Sequence, residues 1–586
     1  MTLTAWRDRF GGQMLAVQWD MNMPSTYDFI VIGSGSSGGV LAARLSQSGK
    51  YNVLCLEAGT AGPNYIWTRP PAGTAFMIVN PTVNWCRFST PNESTGNRPI
   101  YVAGGRILGG TSAINGVIFN RGQRMDYNRW AQEFGCRGWS YEELLPYFKK
   151  LENTQIGSDR YRGRSGPIKV TEASRTSPFF DLVIKSAQSL GYPLNPDYAG
   201  ETQYGVAMAQ QTTHRGLRQS TATQYLAPAM GRRNLHIRTG AHATSLILDG
   251  KRCVGVRYLR DGKPEEVHAN REVVLSAGAI GSPKLLELSG IGNPAVFQEL
   301  GITTTHSLPG VGENLRDHFG PTLTWKLCRK RISLGGRGRG WGLVKEIVRY
   351  GLCRTGFISQ GIATLRVFAR SNDSVEQADI ALLINPYLIE IEAGKRRMSD
   401  ENGFFINAQV QRPESCGSVH IRSSDPSHDP IISYRFLETE NDRRTAVAAV
   451  RRARELATAR PIADFIGEET NPGPAVQSDG EVLDFIRNTG ATTFHYVGTC
   501  KMGHDDMAVV DDQLRVRGIV GLRVADASIM PMIVSGNTSI PCMMIGEKCA
   551  DMMLNDAAKQ REDGEGRFSP IQSANVESTG ATTAAT

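Results

Sequence analysis

The sequence lacks several signals that would assign a protein to a class at once. Its ten cysteines form no CxxC pair and no cysteine–histidine cluster at zinc spacing, so no metal site is predicted. No run of about 18 apolar residues is present, and no transmembrane helix is predicted. Met1 to Ser25 contain no apolar core of a signal peptide. These absences predict a cytoplasmic protein that can touch a membrane only from its surface.

Charge of one sign is also in small excess. Lys and Arg number 65 against 57 Asp and Glu, a net charge of +8 over 586 residues. No uninterrupted basic run accompanies this excess, so nucleic acid is not an expected partner. We interpret the densest positive stretch, Lys326 to Arg354, as a solvated loop, with contact to an anionic membrane as the alternative.

What is present is the composition of a large globular protein. Hydrophobic residues make up 40% of the chain and charged residues 21%, which excludes a disordered protein, a collagen and a simple coiled coil. At about 150 residues per domain, the length predicts two to four domains. Alternation of strand-like and helix-like segments predicts the α/β class rather than an all-α or all-β fold.

One segment near the start of the chain has the order strand, glycine turn, helix, strand. Tyr27 to Ile32 is apolar and rich in β-formers, and the sequence GSGSSGG begins at Gly33. A helical pattern follows and ends at Gly49, and Val53 to Leu56 supplies the second strand. Glu57 stands at the carboxyl end of that strand. This is the order of a dinucleotide-binding βαβ unit.

The turn itself contains the spacing GxGxxG at Gly33, Gly35 and Gly38. The first glycine permits a tight turn, the second lets the backbone approach a pyrophosphate, and the third lets the helix pack on the strand. Glu57 is placed to accept hydrogen bonds from ribose hydroxyls, and its charge would repel a 2′-phosphate. The unit predicts an adenine dinucleotide and leaves FAD and NAD both open.

The middle of the chain predicts further sheet structure. His236 to Leu259 reads as extended chain with an Asp-Gly turn at Asp249, and a second such turn follows at Asp261. These turns predict a three-stranded antiparallel meander. Glu272 to Ala277 predicts a separate buried strand, followed by a short helix that starts at Ser282-Pro283.

Three further blocks complete a pattern of separate motifs. They are GGRILGGTSAINGVIFNRG from Gly104, VVLSAGAIGSPKLLELSGIG from Val273, and the segment from Phe494 through HYVGTCKMG to ADASIMPMIVSGNTSIPCMMIGEKCAD. With the GxGxxG turn, these blocks resemble the glucose-methanol-choline family of FAD-dependent oxidoreductases, most nearly its choline and alcohol dehydrogenase branch. The resemblance covers about residues 27–555 in the correct order. It implies FAD as the cofactor.

The resemblance also implies a division into domains. A Rossmann-type FAD-binding domain with a β-meander is expected beside a substrate domain that has an antiparallel sheet and helices. The expected boundaries are 27–175, 215–320 and 489–555 for the FAD-binding domain, 176–214 and 321–488 for the substrate-binding domain, and 1–26 and 556–586 for flexible termini.

A set of cofactor-binding residues follows from the resemblance. Those expected at the ADP part are Gly33, Gly35, Ser36, Gly38, Glu57 and Ala58, with Ala243 near adenine. Those expected along the pyrophosphate and flavin are Arg106, Gly109, Gly110, Thr111, Asn115 and Gly116, with Asp526, Ala527, Asn537 and Thr538 on the other side. Ile114 stands where some members have a histidine that binds FAD covalently, so noncovalent FAD is expected.

His495 and Asn537 occupy the positions of the family's catalytic pair. Oxidation of an alcohol requires loss of the hydroxyl proton and transfer of a hydride to flavin N5. Neutral His495 can act as the base, and the Asn537 amide can donate to the developing alkoxide. Tyr496 replaces a proline that follows the histidine in many relatives, and Ile540 to Met553 predicts a helix whose positive end faces the flavin. The other nine histidines, His318 among them, are assigned no chemistry.

The predicted function is oxidation of an alcohol to an aldehyde or ketone, with electrons passed to a quinone or another acceptor. An oxidase that uses O2 is one alternative, a flavin-retaining hydroxynitrile lyase is another from a different class, and a noncatalytic flavoprotein is a third. The substrate pocket is expected between Pro321 and Asn488, with Ser359 and Gln360 as candidates. No aromatic and acidic cage for choline is evident from the sequence.

Overall fold

The computed structural model describes residues 24–61, 66–328, 332–392 and 395–562. Within these ranges the chain builds one seven-stranded and one six-stranded sheet, together with helices and short two-stranded ladders. This is a mixed α/β fold, as predicted. Most of the predicted flexible termini, residues 1–23 and 563–586, lies outside the described residues.

The elements that build and cover the two large sheets alternate along the chain. The strands are β1 (Thr26–Ile32), β2 (Val53–Glu57), β3 (Gly205–Met208), β4 (Leu235–Thr239), β5 (Ala241–Asp249), β6 (Arg252–Arg260), β7 (Lys263–Leu275), β8 (Thr322–Leu327), β9 (Leu365–Ala369), β10 (Ile380–Asn385), β11 (Gly403–Val410), β12 (Ile466–Asn471) and β13 (Leu522–Val524). The longer helices are α1 (Gly38–Leu45), α2 (Arg124–Gln132), α3 (Tyr141–Leu151), α4 (Phe179–Ser189), α5 (Gly278–Leu288), α6 (Pro294–Leu300), α7 (Gly340–Cys353), α8 (Glu440–Thr458), α9 (Asp479–Thr489) and α10 (Ser539–Glu562).

The seven-stranded sheet has the order β4-β2-β1-β7-β6-β5, with β13 also paired to β7. Strands β1, β2 and β4 are mutually parallel, β7 pairs in parallel with β1 and β13, and β5, β6 and β7 form the predicted antiparallel meander. Two details of the prediction were wrong. Leu235–Thr239 is a parallel strand beside β2, and Glu272 to Leu275 is the end of β7, because this one strand continues from the meander into the parallel part.

Helix α5 begins at Gly278, so the predicted start at Ser282-Pro283 was also wrong. The Gly278 N–H donates to Oδ2 of Asp526 at 2.9 Å, and this remote carboxylate supports the earlier start. Pro283 lies inside the helix, where it cannot donate to the Ala279 carbonyl four residues back. The Thr499 hydroxyl donates to that carbonyl instead, at 2.6 Å. Tertiary contacts therefore replace the local cap that the sequence suggested.

The six-stranded sheet is antiparallel, in the order β12-β8-β11-β10-β9-β3. Its strands alternate between a core face and a face that lines a large cavity, as the two-residue period of a strand requires. On β8, Leu323 and Trp325 are buried in the core whereas Thr322 and Thr324 line the cavity. The same alternation on β9 places Leu365 in the core beside a cavity-lining arginine.

Two segments are more regular than the sequence suggested. The basic stretch that was predicted to be a loop contains the end of β8 and the helix α7, so that prediction was wrong. Helix α10 continues to Glu562, so residues 556–562 are helical rather than a flexible tail. Asp556 accepts hydrogen bonds from Arg523 at 2.7 Å and Arg515 at 3.0 Å, which anchor this part of α10. In the described ranges no helix has the length and apolarity to cross a bilayer.

Candidate active site

A cavity of about 2590 Å³ opens between the two large sheets. Typical small-molecule pockets are about 300–1,000 Å³, so this one has room for a dinucleotide and a second small molecule. One end is formed by the carboxyl ends of β1 and β2 and the start of α1, and the other by the exposed face of the six-stranded sheet. Parallel sheets bind nucleotides at this edge.

The glycine turn between β1 and α1 shows two different reasons for glycine. Gly33 has φ of +97°, and a Cβ at Gly38 would lie 1.9 Å from the Gly33 carbonyl oxygen. A Cβ at Gly35 would meet no protein atom within 4 Å, and Gly35 lines the cavity. Protein packing therefore requires glycine at 33 and 38. At Gly35 the open space forms a cradle where a pyrophosphate can approach the backbone at the start of α1.

Glu57 is buried at the carboxyl end of β2 and lies in the cavity wall. Its Oε2 accepts from the backbone N–H and the hydroxyl of Ser34, at 3.0 and 2.6 Å, and its Oε1 accepts from the Gly59 N–H at 2.8 Å. Burial raises the pKa of Glu57, whereas these hydrogen bonds act to lower it. Because a carboxylate offers about four lone-pair sites, one acceptor position remains for a ribose hydroxyl.

Most of the predicted cofactor residues lie together in the cavity wall. They are Gly33, Gly35, Ser36, Glu57, Ala58, Gly110, Thr111, Asn115, Gly116, Ala243, Asp526, Ala527, Asn537 and Thr538. Gly38, Gly109 and Arg106 are not part of this wall. Gly109 has φ of +91° and donates its N–H to the Ser34 hydroxyl at 3.1 Å, and the exposed Arg106 stacks on Trp85 at 5.0 Å.

The predicted helix after Thr538 is confirmed and runs from Ser539 to Glu562. Its first turn reaches the cavity, since Ser539 and Cys542 are lining residues. The N-terminal end of a helix carries about half a positive charge, which stabilises negative charge placed before it. The cavity therefore has a helix N-terminus beside the glycine turn, and the Ser539 and Ser36 hydroxyl oxygens lie 3.4 Å apart.

His495 and Asn537 form a hydrogen-bonded pair in the cavity wall. Asn537 Nδ2 lies 2.9 Å from His495 Nε2, and His495 is buried except for 9% of its surface. Phe494, with φ of +64°, turns the chain before the histidine. The His495 N–H donates to Oδ1 of the buried Asp317 at 2.9 Å, which holds the backbone of this loop.

His318 contacts the far side of the His495 ring, a role that the sequence analysis did not assign. Its Nδ1 lies 2.9 Å from His495 Nδ1, and its Nε2 lies 2.9 Å from the Gln411 carbonyl oxygen. The carbonyl only accepts, so Nε2 of His318 carries the proton and its Nδ1 is the acceptor. His495 then donates from Nδ1, in part also toward Thr493 Oγ1 at 3.0 Å. The lone pair on His495 Nε2 is therefore directed to Asn537 and the cavity.

Electrostatics keep both imidazoles neutral. Burial lowers the pKa of His318 to about 4. Burial, followed by the neighbouring His318 and Arg366, holds the pKa of His495 well below its ordinary value. A histidine whose pKa lies below the ambient pH is unprotonated, so His495 carries a free base nitrogen at neutral pH.

Arg366 on β9 completes the polar cluster, and sequence reasoning missed it. Its Nη1 donates to Asn537 Oδ1 at 3.1 Å, which leaves the Asn537 amide N–H groups directed toward His495. Arg366 is 3% exposed and lines the cavity. A basic residue inside the apolar strand LRVFA was the signal that could have identified it.

Three other sequence candidates have different positions. Tyr496 lines the cavity and donates its hydroxyl to the Ala103 carbonyl at 3.0 Å, so it links the histidine loop to the glycine-rich segment. Gln360 lies in the cavity wall as expected. Ser359 does not line it, and its hydroxyl instead donates to the Gly356 carbonyl at 2.7 Å within a local turn.

Comparison with known proteins identifies the family. The N-terminal GMC oxidoreductase family model matches residues 27–320, and the C-terminal model matches residues 413–546. The chain belongs to the GMC oxidoreductase family. It is 39% identical over 542 residues to an oxygen-dependent choline dehydrogenase of Escherichia coli O139:H28, covering 91% of this chain and 97% of the relative, and the Shigella flexneri serotype 5b enzyme of that description matches equally.

Solved structures of this family have the same fold. Pyridoxine 4-oxidase from Mesorbium loti superposes with a TM-score of 0.80 at 28% identity, over 90% of this chain and 99% of that one. Formate oxidase from Aspergillus oryzae RIB40 gives a TM-score of 0.84 at 25% identity, over 92% and 100%. This GMC protein is an FAD-dependent oxidoreductase that acts on alcohol groups. The open cradle at Gly35, the Glu57 carboxylate and the helix end at Ser539 fit FAD.

Proposed function

We propose that His495 is the general base of an alcohol oxidation and that Asn537 is its hydrogen-bonding partner, with electrons passed to a quinone or another acceptor. One observation carries the proposal: His495 Nε2 lies 2.9 Å from the Asn537 amide nitrogen in the wall of the cavity, where it can only accept from that N–H. When bound, FAD supplies the hydride acceptor.

The residues of the chain perform the proton part of the reaction. Substrate that enters the cavity displaces the direct contact between Asn537 Nδ2 and His495 Nε2, so that its hydroxyl hydrogen-bonds to both. His495 takes the hydroxyl proton as the carbinol carbon loses its hydride. Asn537 donates to the oxygen while negative charge develops on it, and Arg366 holds the amide in that orientation.

The division into cofactor and substrate domains belongs to the same proposal. We assign 27–175, 215–320 and 489–555 to FAD binding and 176–214 and 321–488 to substrate binding. The two large sheets support this division, since β1, β2, β4 to β7 and β13 fall in the first set and β3 and β8 to β12 in the second. The site lies where the two sets meet.

An anaerobic reduction assay tests the assigned base. Holoenzyme is mixed with a panel of aliphatic, aromatic, sugar and charged alcohols, and flavin bleaching is followed at about 450 nm. At least one alcohol should bleach the wild type, and His495→Ala should slow bleaching by about 10²–10⁴-fold with FAD content unchanged. His214→Ala, at an exposed histidine outside the cavity, is the matched control. Equal rates of flavin bleaching in His495→Ala and wild type would refute the assignment of His495 as the base.

Direct reaction with O2 is the second candidate, because the structural relatives include pyridoxine 4-oxidase and formate oxidase. The measurement is peroxide release under air against reduction of a soluble quinone under argon, with the same alcohol. Faster turnover with quinone supports the dehydrogenase, and stoichiometric peroxide at a faster rate supports the oxidase.

We also propose that the rim of the cavity docks on an anionic membrane surface. Along α7, exposed apolar residues recur at helical spacing, with Trp341 79% and Leu352 73% exposed. The other exposed apolar residues of α7 and of the neighbouring rim are Val344, Ile347, Val348, Ile66, Trp67, Phe76 and Val79. Lys345 and Arg349 are exposed on the same helix. Apolar residues flanked by basic ones are typical of helices that bind anionic lipid surfaces.

Vesicle sedimentation tests this docking surface. The protein should co-sediment with vesicles of phosphatidylcholine and phosphatidylglycerol, and less with phosphatidylcholine alone. The double variant Trp341→Ser/Leu352→Ser should lose binding but keep its melting temperature. Equal sedimentation of variant and wild type, or concentration-dependent dimerisation through α7 without lipid binding, would contradict membrane docking.

A further inference from the structure

Arg366 is a buried cation without a carboxylate partner in the part of the chain that the structure describes. The one hydrogen bond of its guanidinium to a described residue goes from Nη1 to Asn537 Oδ1, and its buried Nε has no acceptor there. An ionised group that is buried and unpaired is costly, so such groups in proteins are normally matched by an opposite charge. At Arg366 that charge is missing from the protein part described.

Cationic side chains outnumber carboxylates in the described wall of the cavity around Arg366. They are Arg69, Arg87, Arg98, Lys284, Arg339, Arg354 and Arg366. Two of them have carboxylate partners outside the wall, since Arg87 pairs with Asp429 at 2.9 Å and Arg339 with Glu390 at 3.3 Å. Carboxylates in that wall are Glu57 and Asp526, and both belong to the dinucleotide end. Low-dielectric walls focus such a field into the cavity. Beside the Arg366 guanidinium a quaternary ammonium would therefore be repelled, whereas an anion would be attracted.

The position of Arg366 relates it directly to the reacting hydroxyl. The guanidinium is joined to Asn537 at 3.1 Å, and Asn537 is joined to His495 at 2.9 Å. A hydroxyl held by His495 and Asn537 thus lies about two hydrogen-bond lengths from the guanidinium. A group attached one or two carbons from the carbinol carbon spans that separation.

We propose that Arg366 binds a carboxylate of the substrate, and that this protein oxidises hydroxy acids whose carboxylate lies one or two carbons from the carbinol carbon. The inference rests on the proposed function of His495 and Asn537. The carbinol carbon loses a hydride to FAD and the hydroxyl loses a proton to His495, so a keto or aldehydo acid forms. The carboxylate keeps its charge and takes no part in bond breaking.

A matched substrate series tests the proposal on the holoenzyme. 3-Hydroxypropionate, 1,3-propanediol and choline each place a primary hydroxyl two carbons from a negative, a neutral or a positive group. Anaerobic flavin reduction should give kcat/KM for the anion at least about tenfold above the diol, with choline lowest. Arg366→Gln should remove that preference for the anion, and Arg366→Lys should retain part of it, because it keeps the charge but not the planar fork.

The controls separate charge recognition from positioning. Arg370→Gln, on the same segment but outside the cavity wall, should leave the order of the three substrates unchanged. If Arg366→Gln slows all three substrates equally, Arg366 acts only by holding Asn537, and the carboxylate site is refuted. A wild-type preference for choline or for the diol would refute it as well.

A binding measurement without turnover tests the carboxylate site at Arg366 separately from the catalytic role proposed for His495 and Asn537. Calorimetric titration of holoenzyme with propionate should show binding that Arg366→Gln weakens by at least about tenfold, whereas tetramethylammonium should not bind. If no alcohol of any charge reduces the flavin but propionate binds in this way, the catalytic assignment fails and the anion site stands. Absence of propionate binding overturns the anion site whatever the catalytic result.

Discussion

The two ends of the cavity are built on different principles. At the proposed dinucleotide end, one short βαβ stretch from Thr26 to Glu57 supplies the glycine turn, the helix start and the Glu57 carboxylate, and Asp526 and Ser539 join it from the C-terminal part of the chain. The proposed substrate end consists of side chains from strands and loops far apart in the chain, including Arg366, His495 and Asn537. Damage at the first end should therefore reduce cofactor binding, and damage at the second should reduce rate or selectivity while FAD stays bound.

Apart from His495→Ala, the variant expected to slow flavin reduction most is Asn537→Ala. Loss of the amide donor should lower the rate of flavin reduction by about 10²–10³-fold, the usual result of removing one donor to a developing oxyanion. FAD content should not change, because the defect lies at the substrate end. Stopped-flow reduction measures the rate, and Asn372→Ala, at an exposed loop residue, is the control. Loss of FAD from Asn537→Ala would show that Asn537 contributes to cofactor binding and would contradict the difference expected between the two ends of the cavity.

Two glycine variants at the dinucleotide end separate the effect of protein packing from the effect of cofactor binding. In Gly38→Ala the new Cβ would lie 1.9 Å from the Gly33 carbonyl oxygen, so both the fold and FAD binding should suffer, by about 1–3 kcal/mol of stability. In Gly35→Ala the Cβ meets no protein atom within 4 Å, so the apoprotein should keep its melting temperature while FAD affinity falls. Thermal melts of apoprotein and FAD titrations measure the two quantities. If Gly35→Ala keeps the FAD affinity of the wild type, the pyrophosphate does not bind in that cradle.

The pH dependence of kcat/KM tests the electrostatics of the substrate end. Because the pKa of His495 is held well below its ordinary value, the base stays unprotonated at pH 6.5 and somewhat below. Activity should therefore be flat from pH 7.5 to pH 6 and fall only at more acidic pH, as the lowered pKa is approached. The profile is measured with a neutral alcohol, so that the substrate does not titrate. A half-maximum near pH 6.5 would show a normal histidine and contradict the burial effect.

The smallest effect is expected for Tyr496→Phe. The variant removes the hydroxyl that donates to the Ala103 carbonyl at 3.0 Å, which is worth about 1 kcal/mol of stability. A slightly lower melting temperature and a rate within a few-fold of wild type are expected, since the ring stays in place. Calorimetric melting and flavin reduction measure both. A large rate loss would show that Tyr496 contacts the substrate.

Sequence reasoning worked best where the signal is local. The βαβ unit, the meander turns and the helix after Thr538 were predicted because strand period, Asp-Gly turns and glycine spacing act over a few residues. The prediction was wrong at α7, because its three glycines and exposed apolar residues do not give the usual pattern of a helix. It was also wrong at the start of α5, because that start depends on a hydrogen bond to Asp526, some 250 residues away.

The site shows the same limit. His495 and Asn537 were placed by resemblance, and the distance that joins them spans 42 residues of sequence. His318 and Arg366 could not be given roles, because their contacts come from residues 177 and 171 positions away. No local pattern encodes such pairs.

The sequence by itself determined the class of the protein, the dinucleotide turn and the chemistry that a histidine and an amide can perform. Those depend on residue type and short spacing. Tertiary structure alone decided which nitrogen of His495 accepts a hydrogen bond, why its pKa is low, and that Arg366, which has no carboxylate partner among the described residues, lies beside Asn537. Each of these depends on burial and on hydrogen bonds between distant segments, which exist only once both sheets have closed around the cavity.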